Sequence, residues 1–300
     1  MPFCIGISAI FESSRTVHAR TFLMAVNHFI NHHDTHGLTF RFEDDDASYD
    51  GGRRAAQRLL DQGAQVIVGH FSSDAAMGAL PLYRAVGVPV LLPAATKQDL
   101  LGMEPHAFRL CPSDTGLVTL LARRIRDDIP GARLLVAHDS TDHGESLARA
   151  LISTLAGSNV RLTLTLEQAD AVVYCGRLNN SIRYVNTLLN RRRDLRIYLT
   201  DDALSSWFIQ NTPPSDTLRI VGLATVDPSQ ALYETYYLES LAAMQIAATL
   251  IHCQDRLDTL RTTLFTTVLG DVRFCDGENR YARAALWKIR NQRFVPSTSA

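Results

Sequence analysis

The sequence contains little cysteine, and none of it is spaced like a metal site or a disulfide framework. Five cysteines are spread along 300 residues: Cys4, Cys111, Cys175, Cys253 and Cys275. Because cysteine metal sites and disulfide-rich domains need closely or regularly spaced thiols, both classes are excluded. No apolar run approaches the roughly 20 residues that a transmembrane helix requires. We therefore expect no metal, no cofactor and no membrane insertion.

The sequence also lacks an excess of positive or negative charge. Lysine and arginine number 30, aspartate and glutamate number 31, and the net charge is −1. Nucleic-acid-binding proteins usually carry a basic excess, so no nucleic-acid partner is expected. The motifs of nucleotide-binding loops, nucleophile elbows and His-Glu-x-x-His zinc enzymes are missing as well. Nothing in these patterns indicates an enzyme.

Buried strands and amphipathic helices alternate along the chain. Strand-like runs at Phe3–Ile10 and Leu38–Phe42 are followed by helical patterns at Val17–His32 and Gly52–Gln62. This alternation predicts an α/β fold with a parallel sheet and helices on both faces. The pattern stops near Pro112 and then restarts with a second series of similar size. Two Rossmann-like lobes with a ligand cleft between them are expected.

The most informative stretch, Val66–Leu100, reads as strand, turn, helix, strand, turn. Both turns follow the carboxyl ends of adjacent parallel strands, where open α/β sheets bind ligands. Ser73 and Asp74 are candidates for capping the helix, which is predicted over Ala75–Ala85. Pro81 is expected to kink that helix or to begin a fresh turn.

Two sequence motifs lie in this stretch: G-H-x-x-S at Gly69–Ser73 and P-x-A-T at Pro93–Thr96. Three further segments agree with the same family pattern, namely Phe108–Asp114, Ala137–Ala148 and a GDVRF–DGEN segment near the end. In order and spacing they resemble the type I periplasmic binding proteins, specifically the leucine/isoleucine/valine-binding branch of ABC transporters. The resemblance covers nearly the whole chain.

The resemblance also implies how the chain is divided. The N-terminal lobe would comprise residues 1–112 and 228–275, and the C-terminal lobe residues 113–227 and 276–300. The return to the first lobe would run through Tyr233–Cys253, the longest helical pattern, followed by Leu257–Leu269. The segment from Asp227 to Tyr233 is shorter than in relatives.

Four positions are implied to bind the polar groups of an amino-acid-like ligand. Ser73 would offer its hydroxyl and N–H to the ligand carboxylate, Ala94 its carbonyl to the ammonium, and Thr96 would contact both. Asp202 would pair with the ammonium, and Asp201 is a one-residue alternative. Neutral donors at a helix N-terminus can hold an anion without a buried cation. The alternative is that Ser73, Thr96 and Asp202 only cap helices.

Three positions depart from the branched-chain relatives. His18, His143 and Arg177 stand where those proteins place aromatic side chains. Because unpaired polar groups in an apolar pocket cost on the order of several kcal/mol, a ligand with a polar or anionic side chain is expected, with Arg177 in contact with it. The alternative is that these side chains point to solvent or pair with Asp142 or Glu12.

Taken together, these patterns indicate a non-catalytic solute-binding protein that closes around its ligand and delivers it to an ABC permease. One alternative is a cytoplasmic sensor of the same fold, similar to the amide sensors, that regulates a partner protein. Another is an enzyme that uses His18, His143 and Asp202. Met1-Pro2 leads directly into a strand. With that start a cytoplasmic protein with reduced thiols is expected, or a periplasmic one if a leader has been removed.

Overall fold

The computed structural model describes residues 2–12, 16–102, 104–225 and 234–297. Contacts between Cα atoms divide the chain into two units. The first comprises Met1–Ser113 and Tyr236–Ala282, and the second Asp114–Thr235 and Arg283–Ala300. The expected boundary between residues 227 and 228 lies outside the described residues, and so does the shortened segment Asp227–Tyr233.

The first unit contains five helices and two sheets within its described residues. The helices are α1 (Val17–His32), α2 (Tyr49–Asp61), α3 (Ser73–Val86), α8 (Tyr237–Thr249) and α9 (Arg256–Thr262). The strands are β1 (Phe3–Ala9), β2 (Leu38–Asp44), β3 (Val66–Gly69), β4 (Val90–Leu92), β5 (Ala107–Arg109), β11 (Phe265–Thr267), β12 (Gly270–Val272), β13 (Phe274–Cys275) and β14 (Glu278–Asn279). In the larger sheet, strands β1 to β5 pair in parallel in the order β5-β4-β3-β1-β2, β14 adds in parallel beside β5, and β13 pairs antiparallel with β14. Strands β11 and β12 form the second sheet, an antiparallel pair.

The side chains of β1 show why helices cover both faces of this sheet. Ile5 and Ile7 pack with Phe22 of α1 in one buried cluster, whereas Cys4 packs with Leu59 of α2 in another. Successive residues of a strand point to opposite faces, so a continuous apolar run fills two cores at once.

The second unit repeats this strand order. Its helices are α4 (Asp114–Asp128), α5 (Asp142–Leu155), α6 (Leu178–Arg191) and α7 (Ser206–Asn211). Its strands are β6 (Arg133–His138), β7 (Arg161–Thr163), β8 (Ala171–Cys175), β9 (Arg196–Leu199), β10 (Leu218–Leu223), β15 (Ala284–Arg290) and β16 (Arg293–Pro296). Strands β6 to β10 are parallel, and the hairpin β15–β16 pairs antiparallel with β10. The expected α/β class with two mostly parallel sheets is confirmed.

Several local expectations are wrong. Helix α3 starts at Ser73 and has Ser72 as its N-cap, so Ser73 and Asp74 lie in its first turn and do not cap it. The helix runs through Pro81 to Val86, so no separate helix begins there. Helix α8 has 13 residues and is shorter than α1, which has 16. The predicted helix Leu257–Leu269 ends early, because threonine-rich residues form strand β11 instead.

The position of the hairpin β13–β14 differs from the expected division of the chain into lobes. Strand β14 pairs with β5 of the first unit's sheet, although residues from 276 onward were assigned to the other lobe. Sequence analysis missed these two-residue strands, which are too short to carry a periodic pattern. Among the residues described, no helix is long and apolar enough to cross a membrane.

His106 is a buried titratable group in the first unit, just before β5. Its ring is 2% exposed, and Nε2 donates to the carbonyl of Leu80 at 3.1 Å. Burial lowers the pKa of His106 from 6.5 to about 4, since the charged imidazolium would lose its hydration. His106 therefore folds in its neutral form.

We predict that His106 makes the protein acid-sensitive. The unfolded chain takes up this proton near pH 6.5 but the folded one only near pH 4, so stability is full above pH 6.5 and falls as the pH drops toward 4. Urea unfolding of wild type and His106→Gln at pH 7 and 4.5 should show about 2–3 kcal/mol more acid destabilisation in wild type. Equal acid destabilisation of both proteins would contradict this role.

Candidate functional site

The first turn of the candidate site joins β3 to α3. It begins at Gly69, whose φ is +120°, and a Cβ there would lie 2.0 Å from the carbonyl oxygen of Ser8. A glycine is therefore required where the chain leaves the sheet. Ser72 makes no side-chain capping hydrogen bond to the helix, so the first N–H groups of α3, including that of Ser73, are not capped by it. This turn exposes the positive end of a helix dipole.

The second turn follows β4, which pairs in parallel with β3. Ala94 is 8% exposed and Thr96 is 3% exposed. The backbone N–H of Lys97 donates to the hydroxyl oxygen of Ser73 at 3.3 Å, which ties the two turns together. The structure thus brings Ser73, Ala94 and Thr96 to the same edge of one sheet. Neither Ser73 nor Thr96 is an N-cap of a described helix, so the capping alternative is wrong for both.

A buried hydrogen-bond network supports the first turn. His70 is fully buried, and its Nδ1 lies 2.8 Å from Oδ2 of Asp45 and its Nε2 3.1 Å from the hydroxyl of Tyr83. Because a carboxylate only accepts, Nδ1 donates to Asp45, while Nε2 shares a hydrogen bond with the tyrosine hydroxyl. Burial, followed by the negative charge of Asp45, raises the pKa of Tyr83 well above 10, which keeps its hydroxyl protonated. His70 thereby fixes the chain between β3 and α3.

His18 lies beside this turn and is 9% exposed, so the alternative that it points to solvent is wrong. Its ring stacks on Phe71 with 5.8 Å between the ring centroids and an interplanar angle of 27°. Tyr236 meets Phe71 edge-on at 5.6 Å and His18 at 6.3 Å. We call His18, Phe71 and Tyr236 the aromatic cluster. It places flat, polarisable surfaces beside the G-H-x-x-S turn.

In the second unit, Arg177 and Asp202 form an ion pair. They follow the adjacent strands β8 and β9, and Nη1 of Arg177 lies 3.5 Å from Oδ2 of Asp202. The Arg177 side chain is 43% exposed, whereas that of Asp202 is 5% exposed. The alternative named Asp142 and Glu12 as acidic partners and did not include this pair. Asp202 lies inside the short 3₁₀ turn Asp201–Ala203, whose N-cap is Thr200, so the capping alternative is also wrong.

His143 lies in the first turn of α5 and is half-buried. Its Nε2 is buried and has no hydrogen-bond partner among the residues described. Nε2 therefore neither faces solvent nor pairs with an acid of the described residues. The contacts place it on the same unit as Arg177 and Asp202.

Sequence analysis missed Asp139, which organises the two turns around Arg177 and His143. Its carboxylate accepts from the amide of Arg177 at 2.8 Å, from the Asn180 side chain at 2.8 Å, and from both the amide and the hydroxyl of Thr141. Burial alone would raise the pKa of Asp139, but these hydrogen bonds hold it below its ordinary value. An aspartate two residues before a threonine at a strand end was the available signal.

Metal chemistry finds no support in the part of the chain that the structure describes. No group of three or more His, Cys, Asp or Glu side chains there could hold a metal ion. All five cysteines are free thiols.

Comparison with known proteins identifies relatives along the chain. The family described as "Periplasmic binding protein" matches residues 7–181. The Leu/Ile/Val-binding protein of Escherichia coli (strain K12) is 27% identical over 111 residues, which is 36% of this chain and 29% of that protein. The Leu/Ile/Val/Thr-binding protein of Salmonella typhimurium is also 27% identical over 111 residues, and the match spans 30% of its length.

Solved structures share the fold over nearly the full length. A leucine-binding protein from Thermotoga maritima has a TM-score of 0.83 at 13% identity, covering 99% of this chain and 98% of that one. An ABC-transporter solute-binding protein from Rhodopseudomonas palustris, in complex with 3,4-dihydroxybenzoic acid, has a TM-score of 0.83 at 12% identity, covering 98% and 95%. At such identities the likeness concerns the fold alone.

The network around His70 generates a stability prediction. Tyr83→Phe deletes one hydroxyl and leaves Nε2 of His70 buried without its hydrogen-bond partner, which should cost about 1–3 kcal/mol of unfolding free energy. Tyr49→Phe is the matched control, because Tyr49 is 51% exposed, and it should change stability by less than about 0.5 kcal/mol. Chemical denaturation measures both. Equal stability of the two variants would show that the network does not support the turn.

Proposed function

The chain belongs to the periplasmic binding protein family, and we propose that it binds a small amino-acid-like solute and delivers it to an ABC permease. The observation that carries this proposal is the hydrogen bond between Lys97 and Ser73, which holds two motif-bearing turns together at one sheet edge. This family is one of binding proteins, and we assign no catalytic residue.

The first unit's turns supply the groups that such a solute needs. The N-terminal N–H groups of α3 and the Ser73 hydroxyl suit a carboxylate, since helix N-termini attract anions. The carbonyl of Ala94 suits an ammonium group. A threonine hydroxyl can both donate and accept, so Thr96, which is 3% exposed, could contact both charged groups of such a solute.

The relatives suggest two classes of solute, amino acids and aromatic acids. The curated relatives are named for leucine, isoleucine and valine, and one solved structure holds an aromatic acid. The aromatic cluster favours a flat acid as the second candidate, because rings stack favourably on one another. The Arg177–Asp202 ion pair also affects the choice between these solutes, because Arg177 would compete with a ligand ammonium for the Asp202 carboxylate.

We retain a polar or anionic ligand side chain as the finer proposal. The Arg177 side chain is 43% exposed, and a guanidinium is suited to bind a second carboxylate or a hydroxyl of a ligand. His143 offers an unpartnered ring nitrogen on the same unit. Both side chains would cost free energy in a purely apolar pocket.

The turn assignment predicts a loss of affinity in Thr96→Val, which keeps the shape of the side chain and removes its hydroxyl. Binding of the best ligand should weaken by about 1.5–3 kcal/mol if that hydroxyl meets a charged group. The control is Thr266→Val, an exposed threonine of the same unit, which should leave affinity unchanged. Titration calorimetry decides. Unchanged affinity in Thr96→Val would remove this turn from the site.

The two ligand classes predict opposite signs in Arg177→Ala. Binding of an acid that contacts the guanidinium should weaken by about 1–3 kcal/mol. An amino acid whose ammonium meets Asp202 should bind equally well or better, because its competitor cation is gone. Thermal-shift screening with glutamate, leucine and 4-hydroxybenzoate separates the cases, with exposed Arg191→Ala as the control. Strong stabilisation by leucine alone in wild type would contradict the proposed polar ligand.

A further inference from the structure

Arg109, the last residue of β5, is a fully buried cation in the first unit. Its guanidinium makes four hydrogen bonds, and two of them reach the second turn. Nη1 donates to the carbonyl of Ala95 at 3.2 Å and to that of Lys97 at 2.7 Å. These two carbonyls stand on either side of Thr96. A buried guanidinium with fixed fork geometry can hold both at once.

The other two bonds go to a residue far along the chain. Nε and Nη2 of Arg109 donate to the two carboxylate oxygens of Glu278, at 3.1 and 2.7 Å, in a bidentate pair. Glu278 lies on β14, which is the strand that sequence analysis missed and whose DGEN motif had no role. A buried cation without such a partner is strongly destabilising, so the hairpin supplies the charge that permits Arg109 to stand there.

The hairpin is held against β5 by further contacts that do not touch the turn. The backbone N–H of Arg109 donates to the carbonyl of Gly277 at 2.7 Å. The side chain of Asn279 donates to the carbonyl of Leu110 at 3.2 Å. Anchoring of the hairpin and positioning of the turn therefore run through different side chains, which makes them separable by mutation.

We propose that Arg109 and Glu278 are positioning residues for the ligand site, and that their ion pair sets the conformation of the turn from Ala94 to Lys97. The predicted effect of the ion pair on ligand affinity rests on the proposed function, whereas its predicted effect on the conformation of the turn does not. Lys97 is held from both sides: its carbonyl accepts from Arg109, and its N–H donates to Ser73. Releasing Arg109 frees the carbonyl of Lys97, which is one of the two backbone groups that hold this residue between the two turns.

The variant that tests the pair is Glu278→Gln, which keeps the shape of the side chain and one acceptor but removes its charge. The matched control is Asn279→Ala, which loosens the hairpin from β5 and leaves the ion pair in place. Thermal unfolding shows that each variant is folded. Both variants are expected to melt at a lower temperature than wild type, so melting alone does not separate them.

Hydrogen exchange of the ligand-free proteins gives the separating readout. The peptide that covers residues 94–98 should exchange about tenfold faster in Glu278→Gln than in Asn279→Ala. Equal exchange of this peptide in the two variants would overturn the positioning role. Because no ligand is present, this result is independent of the proposed function.

Affinity provides the second readout, measured with leucine and with 4-hydroxybenzoate. Loss of one charge-assisted hydrogen bond corresponds to about a tenfold rise in Kd. The Kd of whichever probe binds wild type should therefore rise about tenfold in Glu278→Gln and stay within twofold in Asn279→Ala. Faster exchange with an unchanged Kd would overturn the link between the ion pair and ligand binding. Failure of wild type to bind either probe would count against the proposed function while the exchange result stands.

Discussion

The parallel pairing of β3 with β4 is the interaction on which the candidate site of the first unit depends. It places the turn after Gly69 and the turn after Leu92 side by side at one edge of the sheet. A single hydrogen bond from Lys97 to Ser73 then joins them. Parallel strands end at the same edge, so polar groups that are 20 or more residues apart in sequence meet there.

Each turn has a buried charged or polar group beneath it. His70, with Asp45 and Tyr83, fixes the first turn, and Arg109, with Glu278, fixes the second. Such groups are expensive to bury and are tolerated only when every donor and acceptor is matched. In the second unit Asp139 does the same for the turn that carries Arg177. Rigid supports of this kind hold the polar groups of the turns in a fixed arrangement, which is what the proposed binding requires.

The sequence predicted the fold class, the adjacency of β3 and β4 and the two motif-bearing turns, because these rest on local periodicity and on a recognisable spacing. It did not predict the partners of buried charges. Glu278 meets Arg109 across 169 positions, and no pattern within either segment indicates the other. The ion pair of Arg177 with Asp202 was missed for the same reason, since two strands must first be paired before their turns can be compared.

The central claim is that this protein binds a small solute through a carboxylate held at the first unit's turns. Native mass spectrometry of the protein as purified, followed by titration of leucine and 4-hydroxybenzoate into the stripped protein, tests that claim most directly. The account predicts one carboxylate-bearing solute per chain, and its loss in the Thr96→Val variant. A protein that carries no solute and binds neither probe, or that binds one equally well without the Thr96 hydroxyl, would contradict it.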